Sequence, residues 1–121
     1  MKSLLFVGER RSPAAIRMDV RWQDGRLAAK QLFDALSGVG IDPGKCQFLN
    51  WWERGSRRRV AEHIRRGGLV VGMGRKVQRE LEKKGVAYLG IIHPAARGAI
   101  RKKRVYRDHI RSAVRAARAE A

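Results

Sequence analysis

Short apolar runs that alternate with longer helix-period segments restrict the fold of this chain more than any other feature. Residues 4–7 form the first run and stop at Gly8. Residues 26–36 follow a helical period, with Leu27, Leu32, Phe33 and Leu36 on one face and a stop at Ser37-Gly38. A turn at Asp42-Pro43-Gly44 leads into a second strand over 46–49, which ends at Asn50. A helix with a basic face is expected over 57–66, closed by Gly67-Gly68, and a third strand over 69–71. Gly72-Met73-Gly74 then turns the chain into a helix over 75–84 that stops at Gly85. A fourth strand over 86–92 runs into His93-Pro94, and an amphipathic helix rich in Ala and Arg occupies 106–119. Strands separated by helices read as βαβ units. The pattern predicts one α/β domain over 1–121: a three-layer sandwich with a central, mainly parallel four-stranded sheet flanked by helices.

In such a sheet the carboxyl ends of the strands share one edge, where ligand crevices form. Glu9, Asn50, the Gly72-Met73-Gly74 loop and His93 each follow a strand end, so they are expected to converge there. Charge narrows the ligand. Lys and Arg number 28 against 11 Asp and Glu, a formal net charge of +17. A field of that sign strains a small fold until a polyanion relieves it. Arg outnumbers Lys, and the guanidinium fork suits phosphate. DNA, RNA and an anionic membrane surface are the candidates. The single cysteine, Cys46, rules out an internal disulfide and a cysteine-built zinc or iron–sulfur centre. His63, His93 and His109 lack metal-ligand spacing, so no metal or cofactor is expected. The apolar run after Met1 is too short for a signal peptide and leads straight into Glu9-Arg10-Arg11. A soluble, cytoplasmic monomer with no membrane partner is the expectation.

Five segments stand in a telling order: Phe6-Val7-Gly8-Glu9, Asp24-Gly25-Arg26-Leu27, Gln47-Phe48-Leu49-Asn50, Val70-Val71-Gly72-Met73-Gly74-Arg75, and Ile91-Ile92-His93-Pro94-Ala95-Ala96-Arg97. In order and spacing, across most of its length, the chain resembles the uracil-DNA glycosylase superfamily, most closely its iron–sulfur, thermophile-type branch. The four cluster cysteines of that branch are absent, so the resemblance carries no iron–sulfur cofactor with it. Arg10-Arg11-Ser12-Pro13 replaces the small residues and proline that shape the thymine-excluding wall in relatives. Val60 stands where a branch that traps uracil-DNA covalently has its histidine, so covalent trapping is not expected.

The resemblance implies a monofunctional DNA glycosylase that hydrolyses the bond between sugar and a flipped-out deaminated base, uracil foremost, in base excision repair. In that reading Glu9 and His93 are catalytic: Glu9 stabilises the sugar cation and orients water, and His93 donates to the departing base. Asn50 reads the pyrimidine edge, Gly8 and Trp22 complete the base pocket, and Trp51 and Trp52 are further candidates for its lining. Gly72, Gly74 and Arg75 approach a DNA phosphate, Arg97 enters or holds the base stack, and Arg10 and Arg11 contact DNA. Each residue also has a plainer reading. Glu9 can be a surface partner of Arg10 or Arg11, Asn50 a turn residue, His93 a structural histidine, and Arg97 one more surface cation. Two other functions stay open: a DNA-binding module of the same fold without the chemistry, and a basic RNA- or ribosome-binding α/β protein.

Overall fold

The computed structural model describes residues 2–119, so positions 1, 120 and 121 of the expected domain, and Met1 of the leader-like start, lie outside the described residues. In chain order the elements are β1 (Leu4–Gly8), α1 (Pro13–Arg17), α2 (Ala28–Gly38), β2 (Gln47–Asn50), α3 (Ser56–Arg65), β3 (Leu69–Met73), α4 (Arg75–Lys83), β4 (Leu89–Ile91) and α5 (Lys103–Ala119). The four strands form one sheet in the order β2-β1-β3-β4, and every pairing is parallel. Strand β1 is buried throughout its length. That explains its unbroken apolar run, because a strand covered on both faces has no solvent side to mark with polar residues.

Alternate side chains of β1 enter two separate cores. Leu4 and Phe6 pack with Leu32 and Leu36 of α2 and with Tyr106, Ile110 and Val114 of α5. Leu5 and Val7 pack with Val60 of α3 and with Val77 and Leu81 of α4. The result is a three-layer α/β sandwich. The distribution of helices follows from the handedness of βαβ crossovers. The chain moves from β1 to β2 in one direction across the sheet. It then reverses, from β2 past β1 to β3 and on to β4. Reversing direction at constant handedness puts α2 on one face and both α3 and α4 on the other.

Element bounds differ from the sequence expectation in physically readable ways. Strand β3 runs on through Gly72 and Met73, because its ladders continue: Val7 pairs with Gly72, Gly72 with Gly90, and Met73 with Ile91. Gly72 is therefore not part of an anion-holding loop. A Cβ there would meet Leu81 Cδ1 at 3.1 Å and Gln78 Cγ at 3.2 Å, so the glycine lets α4 sit down on the sheet. Only Gly74, at φ +91, makes the strand-to-helix junction. Strand β4 starts at Leu89 rather than at 86, while Val86 and Tyr88 pack on the α3/α4 core from outside the ladder. Helix α2 begins at Ala28, because Leu27 has φ +56, which breaks the helical path. Leu27 consequently stands 43% exposed instead of joining the core face.

A buried histidine ties the start of β1 to the end of α3. His63 is buried, and its Nε2 lies 2.9 Å from the Ser3 carbonyl oxygen. A Cβ on Gly68 would overlap the His63 ring, whereas Gly67 faces open space at φ +83. Gly68→Ala is therefore expected to lower the unfolding free energy by about 1–3 kcal/mol through overpacking. Gly67→Ala is expected to lower it by only about 1–2 kcal/mol, from backbone strain. Urea denaturation of both variants measures the difference.

Candidate functional site

The carboxyl ends of all four strands open onto one side of the sheet, at the point where the chain reverses direction between β1 and β3. A cleft of about 210 Å³ lies there, with Asn50 and His93 in its wall. The two residues come from β2 and from the segment after β4, the opposite edges of the sheet. Trp22, in a tight helical turn over Trp22–Asp24, closes the space between them. Its ring centroid is 6.1 Å from that of His93 and 6.4 Å from that of Phe48, nearly parallel to the latter. Apolar groups from Ala14, Ala15, Val20, Ala28 and Ala29 line the rest, with Arg10, Arg11, Arg21 and Arg26 among its remaining lining residues.

Asn50 is buried, and its amide orientation is set by its partners. Trp22 Nε1 donates to Oδ1 at 2.7 Å, and Nδ2 donates to Glu53 Oε1 at 3.0 Å. An indole can only donate and an ionised carboxylate can only accept, so the amide has one consistent orientation. These two bonds use half of its hydrogen-bonding capacity, leaving one donor and one acceptor. Gly8 lies buried beneath these two side chains: a Cβ there would lie 2.9 Å from Asn50 Oδ1 and 3.0 Å from Trp22 Cζ2. Glycine is required at position 8 because the amide and the indole both lie directly over it.

His93 is fixed in one tautomer. The Ala95 amide donates to Nδ1 at 3.0 Å, so the neutral ring carries its proton on Nε2. Burial lowers its pKa from the ordinary value, against the opposing pull of the Glu9 charge. The ring is thus a neutral N–H donor at neutral pH. Gly74 backs it, since a Cβ there would stand 3.5 Å from His93 Cβ.

The backbone that carries His93 is held from α5. The Ile92 amide donates to His109 Nε2 at 2.9 Å, and the Tyr106 hydroxyl donates to the Ile92 carbonyl at 2.9 Å. Sequence reading gave neither residue a role here. The available signal was their three-residue spacing on the helix, which sets His109 beside the buried Tyr106, Ile110, Val114 stripe. Helix α1 was also missed, although Ser12-Pro13 is a legible start: Ser12 Oγ accepts from the Ala15 amide at 3.1 Å, and Pro13 opens the helix. Ala14 and Ala15 of α1 form a wall of the cleft.

The other candidate residues divide. Arg10 and Arg11 are at the cleft. Glu9 is at the same sheet edge but turns toward α4, where its Oε1 lies 3.1 Å from Lys76 Nζ and 3.9 Å from Arg10 Nε. The cations of Arg10 and Lys76 each lie 5.7 Å from the ring of exposed Trp52, which belongs to this cluster and not to the cleft. Trp51 is buried in the α3/α4 core. Arg75 is exposed at the start of α4, and Gly72 is inside β3. Arg97 is also exposed and lines a neighbouring groove of about 470 Å³ with Leu27, Pro94 and Arg101. Among the described residues, no group of three or more His, Cys, Asp or Glu is placed to hold a metal ion, and no helix is long and apolar enough to cross a membrane.

Fold and site together define an α/β protein with a parallel sheet and a basic, partly apolar cleft at the carboxyl edge of its strands. No family model matches the chain, and searches of curated proteins and of solved structures likewise give no match.

Burial also lowers the pKa of His109. The native chain therefore binds fewer protons than the unfolded chain just below the ordinary histidine value of 6.5, and stability falls as pH drops through that value. Protonation would also turn both acceptor nitrogens into donors facing an amide N–H. The urea midpoint is expected to decrease between about pH 7 and about pH 5.5, with His93→Gln and His109→Gln each shrinking the decrease. A pH-independent midpoint in the native protein would contradict this.

Proposed function

We propose that the protein binds DNA, draws an extruded base into the cleft beside Trp22 and hydrolyses its N-glycosidic bond, with a deaminated base, uracil foremost, as substrate. One observation carries the reading: Asn50 and His93, delivered from opposite edges of the sheet, face a single cleft, the first as an amide with unused capacity and the second as a fixed N–H donor. Breaking the bond leaves positive charge on the sugar and negative charge on the base. A neutral imidazole aimed at the base oxygen opposes the second charge, and one such donor is worth about 3 kcal/mol in the transition state. The amide matches the alternating donors and acceptors of a pyrimidine edge. Glu9 acts in this scheme through its field, since its carboxylate is paired with Lys76 outside the cleft. The surplus of cations supplies the affinity for the strand. No lysine Schiff base is invoked, so the product is an abasic site.

A second reading is a binding module of the same architecture that holds an extruded base without cleaving it. The position of Glu9 favours it, as does the Trp22 indole lying over Gly8 and bonded to Asn50.

Incubation with uracil-containing oligonucleotides followed by alkali separates the two, because only base loss produces strand breaks. Excision by the intact protein is expected, with His93→Ala reducing it about 100-fold or more and Glu9→Gln reducing it less. Tight binding of uracil-DNA without breaks selects the binding module. Equal affinity for uracil-DNA and matched RNA, with no breaks in the alkali-treated DNA, selects a basic RNA-binding protein.

A further inference from the structure

Beside the apolar cleft lies a second cavity of about 380 Å³, and the two share Arg11, Arg21, Trp22 and Asn50 as lining. The second cavity differs in chemistry. Arg11, Arg21, Arg54 and Arg59 border it, with Glu53 as its one carboxylate. Glu53 is engaged by the Asn50 amide. Among the described residues, Arg21, Arg54 and Arg59 have no carboxylate within 4.0 Å. Arg11 Nη1 is buried without a hydrogen-bond partner, and its nearest carboxylate, the exposed Asp19, stands 3.5 Å away. A buried guanidinium N–H with no acceptor is destabilising, and four cations around one hollow repel each other. The mutual repulsion reverses when an anion enters.

We infer that this cavity is a phosphate site, and that with the apolar cleft it forms one bipartite site for a nucleotide, the base on the His93 side of Trp22 and the phosphate among the four arginines. Phosphate is the anion that fits, because guanidinium forks bind its oxygens in pairs and its charge spreads over several acceptors. Trp22 and Asn50 form the partition between the halves, joined by their 2.7 Å hydrogen bond. Their position accounts for the Trp22–Asn50–Glu53 chain: it keeps the one local carboxylate bound to an amide rather than to the arginines. The assignment of the base rests on the reading of the cleft given above, whereas the anion site stands on the arginines alone.

Calorimetric titration of the full chain with deoxyuridine, deoxyuridine 5′-monophosphate, deoxyuridine 3′-monophosphate, a trinucleotide with central deoxyuridine, and inorganic phosphate tests this. At least one of the monophosphates, or the trinucleotide, is expected to bind about tenfold or more tightly than the nucleoside. The stronger of the two monophosphates identifies which phosphate is held. Gain with the trinucleotide alone assigns the site to a strand phosphodiester. Arg54→Gln with Arg59→Gln, both of which line the second cavity and not the cleft, should erase that gain, leave nucleoside binding unchanged and not lower the melting temperature, while Arg115→Gln, on the exposed side of α5, preserves the gain. A gain that survives the double variant, or that Arg115→Gln removes equally, overturns the phosphate site. If inorganic phosphate binding is lost in the double variant but no nucleoside binds, the anion site stands and the base cleft falls. If the nucleoside binds and phosphate adds nothing, the anion site falls and the cleft stands.

Discussion

Everything at the cleft depends on β1 being hydrogen-bonded on both edges and covered on both faces. Its neighbours β2 and β3 belong to opposite arms of the sheet, so the chain reverses direction beside it. Helices leave the sheet on opposite faces at that reversal, and the space between them is not filled by backbone. The short segment from Ser12 to Asp24 drops into this space with one small helix, one tight turn and the Trp22 ring. Loss of the β1 pairing would remove the backbone at Gly8 on which Asn50 and Trp22 rest and the common edge that brings Asn50 and His93 together.

The surplus of positive charge is not neutralised locally. Among the described residues most ion pairs are surface contacts, several of them one helical turn apart, such as Lys30–Asp34 and Arg111–Asp108. Pairs of this kind add little stability in water. Among the described residues, the other cations have no carboxylate within 4.0 Å. Among all the cations, Arg10, Arg11, Arg21 and Arg26 line the cleft, and Arg97 and Arg101 line the neighbouring groove. Such a distribution raises the local concentration of a polyanion before any specific contact forms. Under the proposed function, specificity comes from groups whose direction is fixed, among them the Asn50 amide and the His93 imidazole.

Indirect support fixes them. His93 is oriented by its own Ala95 amide and by a strand exit that His109 and Tyr106 clamp from a helix more than ten residues further on. Asn50 is oriented by a tryptophan 28 residues earlier. A polar network of this kind is rigid while every member is satisfied. On the Asn50 side, a displacement of Trp22 would release Asn50 and uncover Gly8 together.

Apart from the short helix α1, the order of strands and helices, the parallel sheet and the clustering of strand ends were legible in the sequence, because apolar periodicity is local and crossover handedness leaves few arrangements. Position 50 and position 93 were legible for the same reason. Which way each side chain turns was not. Residues 8 and 9 are adjacent, yet one lies under Asn50 and Trp22 and the other, just past the strand end, pairs with Lys76 on the α4 side. Gly72 read as a loop glycine, yet it lies under Leu81 and Gln78 in β3, since the ladder to β4 extends the strand beyond what its own residues indicate. Local pattern determined the elements and the edge where a ligand would bind. Only packing between distant segments decided which groups share the cavity, because hydrogen-bond partners such as Trp22 and His109 meet their targets through the fold and not through neighbourhood in the chain.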